Sequence, residues 1–119
     1  MKMLMRILLL AALCGLLLNG GAEAADASGT YTTFGTGNIT CERWLEDRKK
    51  DDAPKWQRQE WVLGYLSAYN NWVHRGQNVA EGRDDTSLFA WIDTYCREHT
   101  GDLLATATES LILNLKKPR

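Results

Sequence analysis

Two cysteines set the tightest limit on what this chain can fold into. Beyond residue 30 only Cys41 and Cys96 remain, 55 positions apart. In an exported protein an even cysteine count reads as a disulfide, and with two cysteines the connectivity is forced. Any fold must therefore bring position 41 beside position 96. Closing so long a loop is worth about 4 kcal/mol in the chain-entropy model, a large share of the ~5–15 kcal/mol that holds a whole domain. A chain of under 100 residues has a small core and gains most from such a staple. The rival reading is a metal site built from Cys41, Cys96 and the two histidines, but no C-x-x-C or H-E-x-x-H pair is present.

Export is read from the first residues. Lys2 and Arg6 precede Ile7–Leu18, twelve residues without a charge. A membrane span needs ~20 apolar residues, so this run fits the h-region of a secretory signal peptide. Asn19, Gly20 and Gly21 break it. Ala22-Glu23-Ala24 and Ala25-Asp26-Ala27 then offer small residues at the spacing signal peptidase needs. A signal peptide over 1–24 is expected, with cleavage after Ala24 or after Ala27. Cys14 resembles a lipid-attachment cysteine, yet bulky Leu13 precedes it and the apolar run continues past it. It is expected to leave with the signal. The product would be periplasmic or secreted, with no stable membrane anchor.

The chain has 119 residues, enough for one domain. From Ala25 onward 14 acidic side chains face 12 basic ones, a net charge of -2. A dedicated nucleic-acid binder would show a net basic surface, so no nucleic-acid partner is expected.

The mature chain reads as all-α, a small bundle of three to four helices over 40–119 after a flexible N-terminal arm at 25–39. Thr40 can cap a first helix over 41–50, with Cys41, Trp44, Leu45 and Arg48 at helical spacing. A second runs from about Pro54 to Arg75. Its stripe is Trp61, Val62, Tyr65, Tyr69, Trp72 and Val73, with Leu66 beside it. Gly64 and Ala68 lie four apart within it. A mid-helix glycine costs about 1 kcal/mol relative to alanine, so the pair is read as the crossing point of another helix. Asn70-Asn71 is placed to hydrogen-bond buried backbone. A polar, glycine-punctuated loop fills 76–85. A third helix spans about Ser87–His99, capped by Asp85 or Thr86. Asp102 is read as the cap of a fourth, about Leu103–Lys117, burying Leu104, Ala107, Leu111 and Leu115.

No catalytic constellation assembles. His74 and His99 sit at helix ends, where the dipole favours a cation. Glu60 is either a buried carboxylate or part of a solvated face. Asp84-Asp85 reads as helix capping rather than a cation site. No catalytic residue, metal or cofactor is expected. The informative excess is aromatic: five tryptophans lie beyond residue 40. One small core cannot readily bury them all, and exposed tryptophan is typical of binding hot spots. Trp56, Trp72 and Trp91 are the candidate partner contacts, Trp56 first because it falls partly off the main stripe.

Thr40-Cys41-Glu42-Arg43-Trp44-Leu45, then Trp61-Val62-Leu63-Gly64-Tyr65-Leu66-Ser67-Ala68-Tyr69-Asn70, then Tyr95-Cys96, resembles small exported helical proteins of two kinds. One is the HdeA type of periplasmic acid-stress chaperone. The other is the Rap/Tai type of immunity protein, which neutralises cell-wall amidases delivered by type VI secretion. Trp91-Ile-Asp-Thr-Tyr95, His99, Leu103-Leu104, Ala107 and Leu111 resemble the ending of the immunity kind. Thr100 and Ala68 depart from it, and the second cysteine is placed more as in the chaperones. Both resemblances imply a non-enzymatic protein that acts by binding proteins. The first expectation is an immunity or inhibitor-type binder, the alternative an acid chaperone, and a third class an enzyme or small-ligand binder. The expected partner is a toxin or enzyme, or an unfolded client; a second copy of the chain is a further candidate.

Overall fold

The computed structural model describes residues 31–118, and every element falls in the unit that begins at Thr33. A short 3₁₀ helix at Gly35–Asn38 leads into four α-helices: α1 (Cys41–Arg48), α2 (Ala53–Trp72), α3 (Asp85–Glu98) and α4 (Leu104–Leu115). The described residues form no strand, only an isolated bridge between Thr40 and Leu103. The chain is thus the all-α bundle expected of it. The signal peptide, its cleavage point, Cys14 and residues 25–30 of the arm lie outside the described residues.

Local chemistry sets the helix ends. The Thr40 hydroxyl accepts the Arg43 N–H at 3.3 Å, the cap the sequence implied. At α3 the cap is Asp84 rather than Asp85 or Thr86. Its carboxylate accepts the Ser87 N–H at 2.8 Å, and the Ser87 hydroxyl returns a bond to the Asp84 carbonyl. The Ser87 N–H, aided by the Ser87 side chain, holds the Asp84 carboxyl below its usual value. Asp102 does not cap α4. Its side chain accepts the Tyr95 hydroxyl at 2.7 Å, while its carbonyl takes the Cys41 N–H. Leu103 stands at the N-cap instead, and the Leu104 N–H, an orphan of the helix start, donates to the Ile39 carbonyl at 2.9 Å.

α2 ends three residues before the expected Arg75, because Arg75 and Gly76 both turn left-handed at φ 52° and 81°. The Gly76 N–H reaches back to the Asn70 carbonyl at 2.7 Å. The Asn70 side chain accepts the Val79 N–H at 2.9 Å, the buried-backbone contact expected of the Asn70-Asn71 pair. Val79 and Ala80 enter the core as a result, so the 76–85 loop is not polar throughout.

The core joins all four helices through Trp44, Val62, Leu66, Ile92, Leu104 and Leu111, around the fully buried Cys41–Cys96 disulfide. That bond staples the start of α1 to the end of α3, with Cα atoms 4.8 Å apart. Trp44 is fully buried, yet its indole N–H donates to Asp93 at 2.7 Å, and Asp93 also accepts Arg48 in two-pronged fashion at 3.0 and 2.9 Å. Buried indole nitrogen needs such a partner.

The second half of the arm packs on the helices. From Thr33 it belongs to the compact unit, and its 3₁₀ helix packs on α2. Gly37 is buried against Trp61, where a Cβ would overlap the indole ring carbons. The Trp61 N–H donates to the Phe34 carbonyl at 2.9 Å. Only glycine fits under that ring, so this segment docks on its own helix.

Between α2 and α4 the Tyr65 hydroxyl donates to Glu109 at 3.1 Å. Burial pushes the Glu109 carboxyl above its ordinary value. A raised acid binds more protons folded than unfolded, so stability falls as pH rises from the ordinary carboxylate range through the raised value. Glu109→Gln removes that penalty and keeps an acceptor for Tyr65. Its melting temperature should exceed the parent's at pH 7 and match it near pH 3, by calorimetry at both. A lower value at pH 7 would show that the charge itself is needed.

Candidate functional site

α2 mixes apolar and polar residues around its circumference, with Gln57, Glu60, Ser67 and Asn71 exposed on its outer side. Val62, Leu66 and Gln59 form its buried centre, while Trp61, Tyr65 and Tyr69 are partly covered. Its outward residues include Trp56, Glu60, Gly64, Ala68 and Trp72, all exposed. These five are spaced by four, the row that runs obliquely up a helix at about 26° to its axis. Trp56 and Trp72 end the row. At about 1.5 Å and 100° per residue they stand ~24 Å apart along the helix and ~160° apart around it. A flat partner cannot meet both, but an element lying along the row can.

The crossing point expected at Gly64 and Ala68 is not inside the fold. Both face outward, and a Cβ built on Gly64 would meet no atom within 4 Å. The internal helix contacts are made by the Val62–Leu66 side instead. Gly64→Ala should therefore stabilise the protein by about 0.5–1 kcal/mol through helix propensity alone. Urea denaturation checks this, and a loss of stability would mean that the glycine is packed after all.

The three candidate tryptophans separate. Trp72 is 82 % exposed, followed by Val73 at 62 %, and Trp56 is 52 % exposed. Trp91 differs: it packs partly buried against the core and stacks on Tyr95 with ring centroids 5.7 Å apart. Tyr95 in turn stacks on His99 at 4.3 Å, and the His99 Nδ1 lies 3.0 Å from the Tyr95 carbonyl. Trp91 thus belongs to a ladder along α3 that supports the helix end, where the aromatic excess made it a candidate contact. His74 lies past the end of α2 and stacks on Tyr69 at 6.0 Å.

Trp56 walls a cleft of about 400 Å³ between the first half of α2 and the start of α3. Gln59 and Glu60 of α2 and Asp85 of α3 supply its polar lining, and Leu63 and Phe89 its apolar lining. Arg48 closes one side, its guanidinium 5.6 Å from the Trp44 ring centre and 5.8 Å from that of Phe89. Lys55 lies 4.8 Å over the Trp56 ring and pairs with Asp51 at 3.1 Å. Gln59 escaped the sequence reading, and Asp85 was read there only as a helix cap. The available signal was a glutamine three residues before Val62, on the apolar side of the helix.

Among the described residues no three His, Cys, Asp or Glu side chains gather as a metal site would require, and no helix is long and apolar enough to cross a membrane. The chain matches no known family model, no curated protein and no solved structure.

Proposed function

We propose that this protein is exported to the periplasm and works by binding another protein, as an immunity or inhibitor-type binder of the kind its sequence resembles. The observation that carries this reading is the outer row of α2. An almost fully exposed tryptophan closes one end, a half-exposed one the other, and the small residues Gly64 and Ala68 lie between them. Small side chains let a partner's backbone come close, and tryptophans at the ends supply large apolar area at low conformational cost. An element of the partner lies along this row. The surface is present in the folded state, so binding at neutral pH needs little reorganisation. An acid chaperone works the other way, by exposing such surface only when low pH loosens the fold.

The test is capture from periplasmic extract at pH 7 on the immobilised, disulfide-bonded protein, repeated with Trp72→Ala. Trp72 contributes almost nothing to the core, so the variant should melt with the parent while its affinity for the captured partner falls at least tenfold. Equal capture by both forms would remove Trp72 from the interface. Suppression of client aggregation at pH 3, with no specific partner at pH 7, would put the chaperone reading first.

A further inference from the structure

The cleft beside Trp56 contains a polar group that the fold leaves unused. Gln59 is only 8 % exposed and lines the cleft, yet its side-chain amide makes no hydrogen bond with any described residue. The residue is covered but its amide is not sealed in, since the sealed polar atoms without a partner are Thr36 Oγ1 and Asp47 Oδ1, so the amide is open to the cleft. An amide kept there, with an opening beside it, is placed to be satisfied from outside.

The charges around it point to one kind of ligand. Four charged side chains line the cleft: Arg48, Lys55, Glu60 and Asp85. The two cations are already committed, Arg48 to Asp93 at 2.9 Å and Lys55 to Asp51 at 3.1 Å. The two anions are not. Neither Glu60 nor Asp85 has an ion pair or side-chain hydrogen bond with a described residue. The N-terminus of α3 does not occupy Asp85, because Asp84 takes the Ser87 N–H. The cleft therefore offers two free carboxylates and one free amide, from two different helices, above the apolar carbons of Leu63 and Phe89.

We infer that this cleft receives an arginine side chain of the partner protein. The inference rests on the protein-binding role proposed above and names the chemistry of the partner at one end of the row. A guanidinium is planar, carries five N–H donors and holds its charge at every physiological pH. Its donors match the Gln59 carbonyl oxygen and the Glu60 and Asp85 carboxylates together. Its three-carbon stem lies against Leu63 and Phe89, as long cationic side chains do on apolar surface. A lysine ammonium is a compact, strongly hydrated point charge and cannot span acceptors on two helices in one plane.

The experiment is an NMR titration of the ¹⁵N-labelled, disulfide-bonded protein with the peptide acetyl-Gly-Arg-Gly-amide at low ionic strength. The Gln59 side-chain amide, the Trp56 indole N–H and the Asp85 backbone amide should shift together and saturably. The same peptide with citrulline, which keeps the shape and loses the charge, should bind at least tenfold more weakly. So should the arginine peptide on the Glu60→Gln/Asp85→Asn variant, whose unperturbed spectrum elsewhere shows that it is folded. Gln59→Leu should weaken binding while leaving the charge dependence in place. Absence of localised, saturable shifts, or equal binding of the citrulline peptide, overturns the assignment. That failure is separable from failure of the binding role: a partner captured at pH 7 through Trp72 would leave the role standing and remove only the arginine.

Discussion

Replacing Cys41 and Cys96 together by alanine should lower the unfolding free energy by about 4 kcal/mol. The bond closes a loop of 55 residues, and its removal returns that loop's freedom to the unfolded chain. Alanine is the right replacement, because both positions are fully buried and a serine hydroxyl there would lack a partner. The lost sulfurs add a packing penalty of the same sign. The helices themselves should survive at neutral pH. Three backbone bonds hold the same junction without sulfur: the Cys41 N–H to Asp102, the Glu42 N–H to Thr100, and the Leu104 N–H to Ile39. The variant is expected to keep its far-UV signal while its urea midpoint falls by several molar, given an m-value of ~1 kcal/mol/M for a chain this small. A loss below about 1 kcal/mol would mean that the reduced, unfolded chain already holds α1 near the end of α3.

How much of this was legible in the sequence follows from where the information lies. Helix positions came from local patterns, and Thr40, Pro54 and Gly76 acted locally as expected. The disulfide needed only an even count. What failed needed a tertiary partner. α2 interleaves apolar and polar residues around its circumference, so periodicity did not say which side was inward. The stripe was therefore drawn as Trp61, Val62, Tyr65, Tyr69, Trp72 and Val73 with Leu66 beside it, when the buried centre is Val62 and Leu66 and Trp72 and Val73 are exposed. Gly64 then fell within the supposed interface, although it faces open space. Val79 and Ala80 look like loop residues until Asn70 pins the backbone beneath them. Within the candidate site, Trp56 and Trp72 stood out by composition. Gln59 did not, and Asp85 was read only as a cap, since only the packing of α3 and α2 brings them to one cleft. Trp91 failed for the opposite reason, because its ladder through Tyr95 to His99 covers it.

Asp47 shows the same point with a large energetic consequence. The sequence left Glu60 as either a buried carboxylate or part of a solvated face; it is solvated, and the buried carboxylate is Asp47, 1 % exposed on α1. Arg58 of α2 donates its Nε–H to Asp47 Oδ2 at 3.3 Å, and Arg43 of α1 does so at 3.3 Å while lying 3.2 Å from Oδ1. That second approach lacks hydrogen-bond geometry, and Oδ1 has no hydrogen bond. The two arginines are not equivalent. The Arg58 side chain is 15 % exposed and that of Arg43 is 52 % exposed. Removing one partner of a buried pair leaves the other charge uncompensated in a poorly solvated place, at about 3 kcal/mol or more. Asp47→Ala and Arg58→Ala should each cost that much in urea denaturation. Arg43→Ala should cost under about 1 kcal/mol, because an exposed ion pair is screened by water. The double variant Asp47→Ala/Arg58→Met decides what the pair does. If its contribution lies only in mutual compensation, the double variant should recover most of the loss, because an apolar pair removes both desolvation penalties at once. If the two losses simply add, Asp47 and Arg58 do not compensate each other, and α1 is held on α2 by core packing rather than by this pair.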